Sequence, residues 1–382
     1  MELISDTKAL KALCTALSKD SYVTVDTEFM RETTYWPDLC LIQIAGEETS
    51  GLIDPMAPGI DLSCFFELMN NEKILKVFHA ARQDVEIMVH LSGTVPHPIF
   101  DTQIAAMVCG FGDQVGYEAI VRKLAKVQID KSSRFTDWAR RPLTEKQLAY
   151  ALSDVTHLRT IYEALKKELD ATGREPWLAQ EMGILTAVET YRTHPDDAWK
   201  RIKIRLKSKK QLAVLIAVAG WREIEAQEKN VPRARVIKDD AVAEIATQLP
   251  QTKEALGQLR ALPRGMNNSR LGESLIKAVK TGLERDPSTL PHVNWGRDEN
   301  SDSTQAAAEI LKLALKIVCE REGLAPKLVA NTSDIEAVAD SDEAEVPLLQ
   351  GWRREVFGNL ALELKHGRAT IGFQDGKATI IQ

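Results

Sequence analysis

Two carboxylates within a strand-like run place the strongest early limit on the fold. Residues 23–29 read VTVDTEF, a β-branched and apolar stretch typical of a buried strand. Because side chains alternate between the faces of a strand, Asp26 and Glu28 leave one face and Thr27 leaves the other. Neighbouring like charges in such a strand need either solvent or a cation. The run therefore predicts a strand end that reaches water or a site that holds a positive ion.

The first half of the chain mixes strand and helix patterns. β-rich runs occur at residues 22–29, 39–46, 50–56 and 74–80, and three strands so close together predict an antiparallel meander. Helical patterns follow at 83–91, 101–109, 116–126 and 144–170. Strands followed by this alternation predict an α/β fold, with a mixed sheet flanked by helices.

After about residue 195 the pattern becomes helical, and residues 201–230 are expected to form helices. Residues 232–246 resemble residues 324–339, and matching Val236 to Val329 gives an offset of 329 − 236 = 93 residues. Such a repeat predicts two small all-α domains, joined by the Pro-, Ser-, Asn- and Asp-rich stretch 285–303. Near the end of the chain, Asp375-Gly376 between β-rich runs predicts a hairpin.

Composition limits the class of protein and its compartment. A chain of 382 residues is long enough for two or three domains, and its formal net charge of −6 shows no overall basic character. Five scattered cysteines without C-x-x-C spacing argue against a disulfide framework and a zinc site. With no signal-like leader and no apolar run of bilayer length, we expect a cytoplasmic protein that contacts no membrane.

Further acids follow in the same half of the chain. Asp84 comes just after the strand-like run VFHA, and Tyr150 and Asp154 are four residues apart on a predicted helix, so they share a face. Taken singly, Asp84 could be an acid in a first helical turn, and Tyr150 could belong to the core. Four carboxylates in one pocket, however, would need cations, and purely oxygen ligands favour Mg²⁺ or Mn²⁺.

The segments DTE, HAARQD and YALSD resemble the three motifs of the DEDD superfamily of 3′–5′ exonucleases, in the subtype with a tyrosine. The longer run FTDWARRPLTEKQLAYALSDVTHL is similar to the ribonuclease D family. The resemblance implies a ribonuclease H-like exonuclease domain at 1–195. It also implies a helicase-and-RNase-D C-terminal (HRDC) domain at 200–285, a second, divergent HRDC-like domain at 300–366, and a hairpin-like tail at 367–382.

The resemblance also implies an activity. It predicts a 3′–5′ exoribonuclease that releases 5′-mononucleotides by two-metal-ion hydrolysis, trimming tRNA precursors and other small structured RNAs. Tyr150 would orient the attacking water, Glu28 would also meet the terminal ribose, and a monomer is expected. The implied ligands of two Mg²⁺ or Mn²⁺ ions are the four acids, namely Asp26, Glu28, Asp84 and Asp154.

Residues beside the motifs are candidates for substrate contact. Phe29 and Met30 could wedge against the terminal base or pack in the core. Arg31, His79 and Gln83 could meet phosphates, although His79 could equally be a hydrogen-bonded histidine at a strand end.

Two arginines and two further acids have competing interpretations. Arg140 and Arg141 could contact phosphate or form a surface turn. Asp101 is interpreted as a helix cap, and Asp54 as a turn former before a proline.

A basic run at residues 199–210, WKRIKIRLKSKK, contains no acid. It could follow an RNA backbone through phosphate contacts, or it could be a solvated surface. The candidates taken from it are Lys200, Arg201, Lys203 and Arg205.

Two other functions remain open at this point. One is a DNA exonuclease with the same chemistry, and the other is a non-catalytic scaffold that binds nucleic acid. A helicase is excluded because no G-x-x-x-x-G-K-[ST] phosphate loop occurs.

Overall fold

The strand that carries Asp26 and Glu28 lies inside a six-stranded mixed sheet. The computed structural model describes residues 3–130, 132–134, 136–291 and 302–381. The strands are β1 (Leu3–Ile4), β2 (Tyr22–Met30), β3 (Asp38–Ala45), β4 (Ser50–Ile53), β5 (Leu75–Phe78) and β6 (Ile99–Asp101). Their spatial order is β1-β4-β3-β2-β5-β6. The predicted mixed sheet is confirmed, since β3 and β4 are antiparallel while β2–β5, β5–β6 and β1–β4 are parallel.

Helices connect and flank these strands, as parallel pairing requires. They are α1 (Thr7–Leu17), α2 (Ser63–Met69), α3 (Arg82–Ser92), α4 (Thr102–Val108), α5 (Tyr117–Ile120), α6 (Glu145–Thr172) and α7 (Glu175–Thr186), with a π-helical turn at Val121–Ala125. The long helix α6 begins with a capping box between Thr144 and Gln147 and ends at Gly173, whose φ is +66°. These local signals fix the helix that the sequence predicts at 144–170.

The contact pattern divides the described chain into two compact units. The first contains the sheet, its helices and the residues from 302 onward, and the second contains residues 29–39 and 188–291. Helices of the second unit are α8 (Lys209–Glu228), α9 (Arg233–Val236), α10 (Asp239–Gln248), α11 (Lys253–Gly257) and α12 (Arg270–Glu284), with 3₁₀ turns at Val188–Thr190, Pro195–Arg201, Met266–Asn268 and Pro287–Thr289. Helices α8, α10 and α12 bury one apolar core.

Residues 202–208 of the basic run are not helical, so the prediction of helix there is wrong. After the 3₁₀ turn Pro195–Arg201, the chain has no helix until α8 begins at Lys209. The reason is a period of two: Ile202 and Leu206 are buried in the core of the second unit, and Ile204 packs partly against it. The basic side chains between them therefore face solvent.

The C-terminal part of the chain packs within the first unit. It contains α13 (Asp302–Glu322), α14 (Pro326–Val329), α15 (Thr332–Asp340), α16 (Gly351–Arg353) and α17 (Asn359–Lys365), with a 3₁₀ turn at Pro347–Leu349 and a π-helical turn at Arg354–Gly358. Trp352 stacks on Trp177 of α7 with ring centroids 4.9 Å apart, and Arg353 forms an ion pair of 2.7 Å with Glu181. The C-terminal helices are therefore tied to α7.

The predicted internal repeat corresponds to repeated structure. The short helix α9 begins at Arg233 and the longer α10 at Asp239. The same pair recurs 93 residues later, where the short α14 begins at Pro326 and the longer α15 at Thr332 (326 − 233 = 93). Residues 292–301 of the predicted linker lie outside the described residues.

The C-terminal hairpin pairs β7 (Thr370–Gln374) with β8 (Lys377–Ile381). Its turn residues Asp375 and Gly376 have φ values of +52° and +76°, the backbone that an Asp-Gly turn favours. Among the helices that the structure describes, not one combines the length and the hydropathy needed to cross a membrane.

Candidate active site

Three separate segments of the first unit supply the predicted acids. Strand β2 carries Asp26 and Glu28, and Asp84 lies in the first turn of α3, which begins soon after β5 ends. Helix α6 carries Tyr150 and Asp154 one turn apart. These three elements thus supply acids that are far apart in the sequence.

Asp26, Tyr150 and Asp154 line one cavity of about 380 Å³. Its wall also includes Tyr117 and Arg134, two residues that were not singled out from the sequence. The carboxylates of Asp26, Glu118 and Asp154, two phenols and one guanidinium line this cavity, which is suited to a ligand that carries both negative charge and bound cations.

The four carboxyl groups share an environment that disfavours their charged forms. Burial, followed by the charge of Asp154, raises the pKa of Asp26 well above its usual range, and burial with the charge of Asp26 does the same for Asp84. Burial and the charges of the other three acids raise the pKa of Glu28 to about 9. Burial raises the pKa of Asp154 to about 7, an effect that Tyr150 and Arg134 partly offset. These groups act on one another and need protons or cations as counter-charges.

Asp84 is held by the residue between the two acids of β2. The Thr27 hydroxyl donates a hydrogen bond of 2.5 Å to Oδ1 of Asp84, and both side chains are buried. This contact joins β2 to the first turn of α3 and orients the Asp84 carboxyl. Sequence reasoning missed this role because a threonine in a strand is ordinary.

The donor set fits a hard cation in its chemistry. All four candidates offer carboxylate oxygens, and Oδ1 of Asp154 is buried without a hydrogen-bond partner among the described residues. Buried acceptors are normally satisfied, so this oxygen has room for a ligand. In the described ranges, however, no three His, Cys, Asp or Glu side chains are already arranged around a common metal position.

Two tyrosines contact the acid on α6. Burial and the charges of Asp154, Glu28 and Asp26 raise the pKa of Tyr150, so its phenol stays neutral near pH 7. The Tyr117 hydroxyl donates to the backbone carbonyl of Asp154. Tyr117 therefore fixes the helix backbone at this acid, while the neutral Tyr150 hydroxyl can donate or accept hydrogen bonds in the cavity.

The positive charge of Arg134 acts on several groups of the site. Its charge lowers the pKa of Glu28, of Asp154 and of Tyr150 against the larger effect of burial. In the sequence, Arg134 is one of several arginines between two motifs, so no pattern separated it from the rest.

Of the two arginines predicted to contact phosphate or form a turn, Arg141 has a structural role. Its guanidinium forms an ion pair of 2.7 Å with Asp54 and donates to the carbonyl of Cys40 at 2.6 Å. This pairing lowers the pKa of Asp54 against the opposing effect of burial. Asp54 also accepts a hydrogen bond of 3.0 Å from the Met56 N–H, as a turn former would.

His79 and Asp101 both have structural partners. His79 lines the cavity, and its ring nitrogens lie 2.9 Å from the Thr102 hydroxyl and 3.1 Å from a backbone carbonyl. Asp101 caps α4, as predicted, and also accepts hydrogen bonds from the N–H groups of Ala80 and Ala81. His79 therefore has the hydrogen-bonded geometry of the alternative interpretation.

The remaining predicted substrate contacts lie in different parts of the fold. Gln83 is exposed on α3, whereas Phe29, Met30 and Arg31 are half-buried at the start of the segment that belongs to the second unit. Substrate contact by these four residues stays a prediction.

The four candidates of the basic run are all exposed, and one of them has an ion pair among the described contacts. Lys200 lies 2.6 Å from the carboxylate of Asp197, three residues earlier. Arg201 ends the 3₁₀ turn, and Lys203 and Arg205 follow it in the segment before α8. Because the charge of Lys200 is already paired with an acid, Arg201, Lys203 and Arg205 are better candidates for phosphate contact.

Comparison with known proteins finds relatives that match this chain over its whole length. A family model described as 3′–5′ exonuclease matches residues 1–170, and one described as HRDC domain matches residues 211–279. Ribonuclease D of Nitrobacter hamburgensis is 49% identical over 382 residues, covering 100% of both chains. Ribonuclease D of Bartonella henselae is 46% identical, covering 99% of this chain and 93% of its own.

A solved structure agrees with these relatives. The crystal structure of Escherichia coli RNase D, an exoribonuclease involved in structured RNA processing, superposes with a TM-score of 0.83 at 28% identity, covering 96% of this chain and 98% of that one. Agreement of sequence, domain order and fold over nearly the full length leads to one assignment. The chain belongs to the ribonuclease D family of 3′–5′ exoribonucleases.

Proposed function

We propose that this chain removes 5′-mononucleotides one at a time from the 3′ end of RNA, using divalent metal ions held by Asp26, Glu28, Asp84 and Asp154. The observation that carries the proposal is that acids from three segments of an exonuclease fold act on one another. Besides burial, the charge of Asp154 raises the pKa of Asp26, the charge of Asp26 raises that of Asp84, and all three raise that of Glu28. As substrates we propose tRNA precursors and other small structured RNAs. The processing of structured RNA by the Escherichia coli relative supports that choice.

The metal ions and the protein have separate tasks in this proposal. Two bound Mg²⁺ or Mn²⁺ ions would supply an acidified water and stabilise charge on the departing 3′-oxygen. The chain's own groups arrange the substrate. Tyr150, which stays neutral, orients the water by hydrogen bonding, and Arg134 draws a phosphate into the cavity.

The helical parts of the chain are proposed to handle the rest of the RNA. The exposed residues Arg201, Lys203 and Arg205 would contact the phosphate backbone without reading its sequence. The repeated helix pair at an offset of 93 residues supports a second, HRDC-like domain between residues 300 and 366. We also propose that the enzyme acts as a cytoplasmic monomer.

The choice of RNA over DNA depends on the family rather than on the cavity, since the two substrates differ at the reacting end by the 2′-hydroxyl. A non-catalytic scaffold is disfavoured because all four acids and Tyr150 are present.

Hydrolysis of end-labelled oligonucleotides tests the proposal. With Mg²⁺, a 5′-labelled RNA should shorten in single-nucleotide steps, and its 3′-labelled counterpart should release labelled mononucleotide at once. EDTA should stop both reactions, and a matched DNA should react more slowly. Endonucleolytic fragments, 5′-end release or activity in EDTA would contradict the proposal.

Substitution of one acid gives the matched protein control. Asp154→Asn should lower the rate at least about 1,000-fold, because a metal-ligand carboxylate is lost. Asp170→Asn changes an exposed acid on the same helix and should leave the rate unchanged. Equal activity of the two variants would remove Asp154 from the mechanism.

A further inference from the structure

The segment that follows the two acids of β2 packs on the HRDC domain. Phe29–Leu39 belongs to the same compact unit as helices α8–α12, although it connects β2 to β3 of the sheet. Tyr35, in its middle, is 4% exposed and packs with Ala226 and Val236. The chain therefore leaves the acids of β2 and enters the helical unit before it returns to the sheet.

A buried polar cluster fixes Tyr35 to α8. Its hydroxyl donates to Glu223, a carboxylate with 0% exposure, and accepts hydrogen bonds from Arg233 at 2.8 Å and Gln227 at 3.1 Å. Arg233 binds both oxygens of Glu223, at 2.5 and 2.6 Å, and its guanidinium carbon lies 4.7 Å from the Tyr35 ring centroid. Despite burial, these hydrogen bonds lower the pKa of Glu223, so the cluster holds a charged carboxylate.

The backbone of the segment has its own anchor. Oδ1 of Asn230 accepts hydrogen bonds from the backbone N–H groups of Tyr35 at 3.1 Å and Trp36 at 2.9 Å. Asn230 lies just beyond α8 with a φ of +48°, a conformation that asparagine adopts more readily than most residues. The Tyr35 and Trp36 rings pack edge to face, 4.7 Å apart. Side-chain and backbone contacts therefore hold the same point of the segment.

We propose that Tyr35 is a positioning residue through which the HRDC domain sets the conformation of residues 29–31 and hence the grip on the last nucleotide of the substrate. Phe29, Met30 and Arg31 directly follow Glu28, and Tyr35, four residues after Arg31, is held on α8 by side-chain and backbone contacts. This inference rests on the proposed function. It assigns the HRDC domain a role in the catalytic step in addition to contact with distant RNA.

Kinetics on short and long substrates distinguish a role in the catalytic step from contact with distant RNA. Tyr35→Phe removes the hydroxyl that binds Glu223 and keeps the ring. We expect kcat to fall about tenfold on a trinucleotide and equally on a long single-stranded RNA, because small misplacement of a reacting group is costly. Replacing Arg201, Lys203 and Arg205 by alanine should instead raise KM on the long RNA alone.

Matched controls exclude a general effect on folding. Tyr22→Phe removes a tyrosine–glutamate hydrogen bond of 2.9 Å at the other end of β2 and should keep wild-type kcat. Asn230→Gly removes the side-chain oxygen that accepts from the Tyr35 and Trp36 N–H groups, at a backbone conformation that glycine tolerates. It should reproduce the loss in kcat even if Tyr35→Phe folds poorly. Melting temperatures are recorded for each variant.

A double-mutant cycle tests the proposed route of action. Tyr35→Phe and Glu223→Gln should show less than additive losses in kcat on the trinucleotide, because each breaks the same contact.

Two results would overturn the inference. One is wild-type kcat on the trinucleotide for both Tyr35→Phe and Asn230→Gly, and the other is a loss confined to KM on long RNA. An inactive wild-type enzyme would overturn the proposed function, and the inference with it.

Discussion

At the scale of single residues, Arg134 supplies a fixed positive charge to a cavity otherwise dominated by acids. It lines the same wall as Asp26, Tyr150 and Asp154, and its charge stabilises the ionised forms of nearby acids. A guanidinium among carboxylates can also hold a phosphate between itself and bound metal ions.

Removal of Arg134 should therefore weaken hydrolysis of every RNA, whatever its length. We expect Arg134→Ala to lower kcat/KM by about 10- to 100-fold, the loss of one charge-assisted hydrogen bond, with Arg134→Lys in between. Arg122→Ala, which changes an exposed arginine in the π-helical turn Val121–Ala125, is the control. Steady-state kinetics on a trinucleotide would measure the effect, and identical kinetics for the two alanine variants would refute it.

Glu28 makes the stability of the metal-free protein depend on pH. Its carboxyl has a folded-state pKa of about 9 against an ordinary value of 4.5, so between these values the folded state binds more protons than the unfolded state. The free energy of unfolding should therefore fall as pH rises through that window. Below about pH 4.5, the contribution of the Glu28 carboxyl to the free energy of unfolding is fully present.

The melting temperature of the EDTA-treated protein should decrease between about pH 5 and about pH 8.5, and Glu28→Gln should flatten this decrease because it cannot ionise. Added Mg²⁺ should raise the melting temperature most at the alkaline end, where a cation replaces the proton. Circular dichroism at several pH values would measure both effects. A wild-type curve parallel to that of Glu28→Gln would show that Glu28 is not destabilised in the folded state.

At the scale of secondary structure, local sequence signals are enough to predict most strands and helices of the first unit. The alternation of VTVDTEF gave β2, and the four-residue spacing of Tyr150 and Asp154 gave their shared face on α6. The stretch after Arg201 is not the predicted helix: its basic residues resemble a helix surface, but the buried Ile202 and Leu206 and the partly buried Ile204 follow a period of two.

Tertiary contacts were beyond local reasoning. Thr27 to Asp84, Tyr117 to Asp154 and Tyr35 to Glu223 each join residues more than 30 positions apart. Such pairs leave no periodic trace in one sequence.

The C-terminal helices offer a test of one such contact. Arg353 is 11% exposed and pairs with Glu181, which is 8% exposed, while also donating to the carbonyl of Leu328 at 2.9 Å. Arg353→Ala would leave a buried carboxylate unpaired, at a cost of about 3 kcal/mol. We expect a lower melting temperature and faster proteolysis at the end of the chain.

The neighbouring Arg354→Ala serves as the control, since Arg354 is exposed and bonds only locally to Asn359 among the contacts described. Equal proteolysis of the two variants would show that the ion pair does not hold the C-terminal helices in place.

At the scale of the whole molecule, an acidic chain must bind a polyanion through local charge. The chain has a net charge of −6, yet Arg201, Lys203 and Arg205 lie exposed within five residues of one another, just before α8. Phosphate contacts release counterions, so binding through this segment should weaken as salt rises.

Replacing Arg201, Lys203 and Arg205 by alanine should lower the slope of log affinity against log salt by about 2 for single-stranded RNA. Removal of three exposed lysines near the start of the chain, Lys8, Lys11 and Lys19, should leave the slope unchanged. Fluorescence anisotropy in EDTA, which prevents cleavage, would give both slopes. Equal slopes would exclude this segment from RNA binding.

The account as a whole depends on joint binding of divalent ions by acids from β2, α3 and α6. Isothermal titration of the metal-free protein with Mn²⁺ at about pH 7.5 tests this most directly, since the raised pKa values of Asp26 and Glu28 make metal binding release protons. We predict two bound ions with proton release for the wild type, and loss of binding in Asp26→Asn and Asp154→Asn. Unchanged Mn²⁺ binding in both variants would contradict the account.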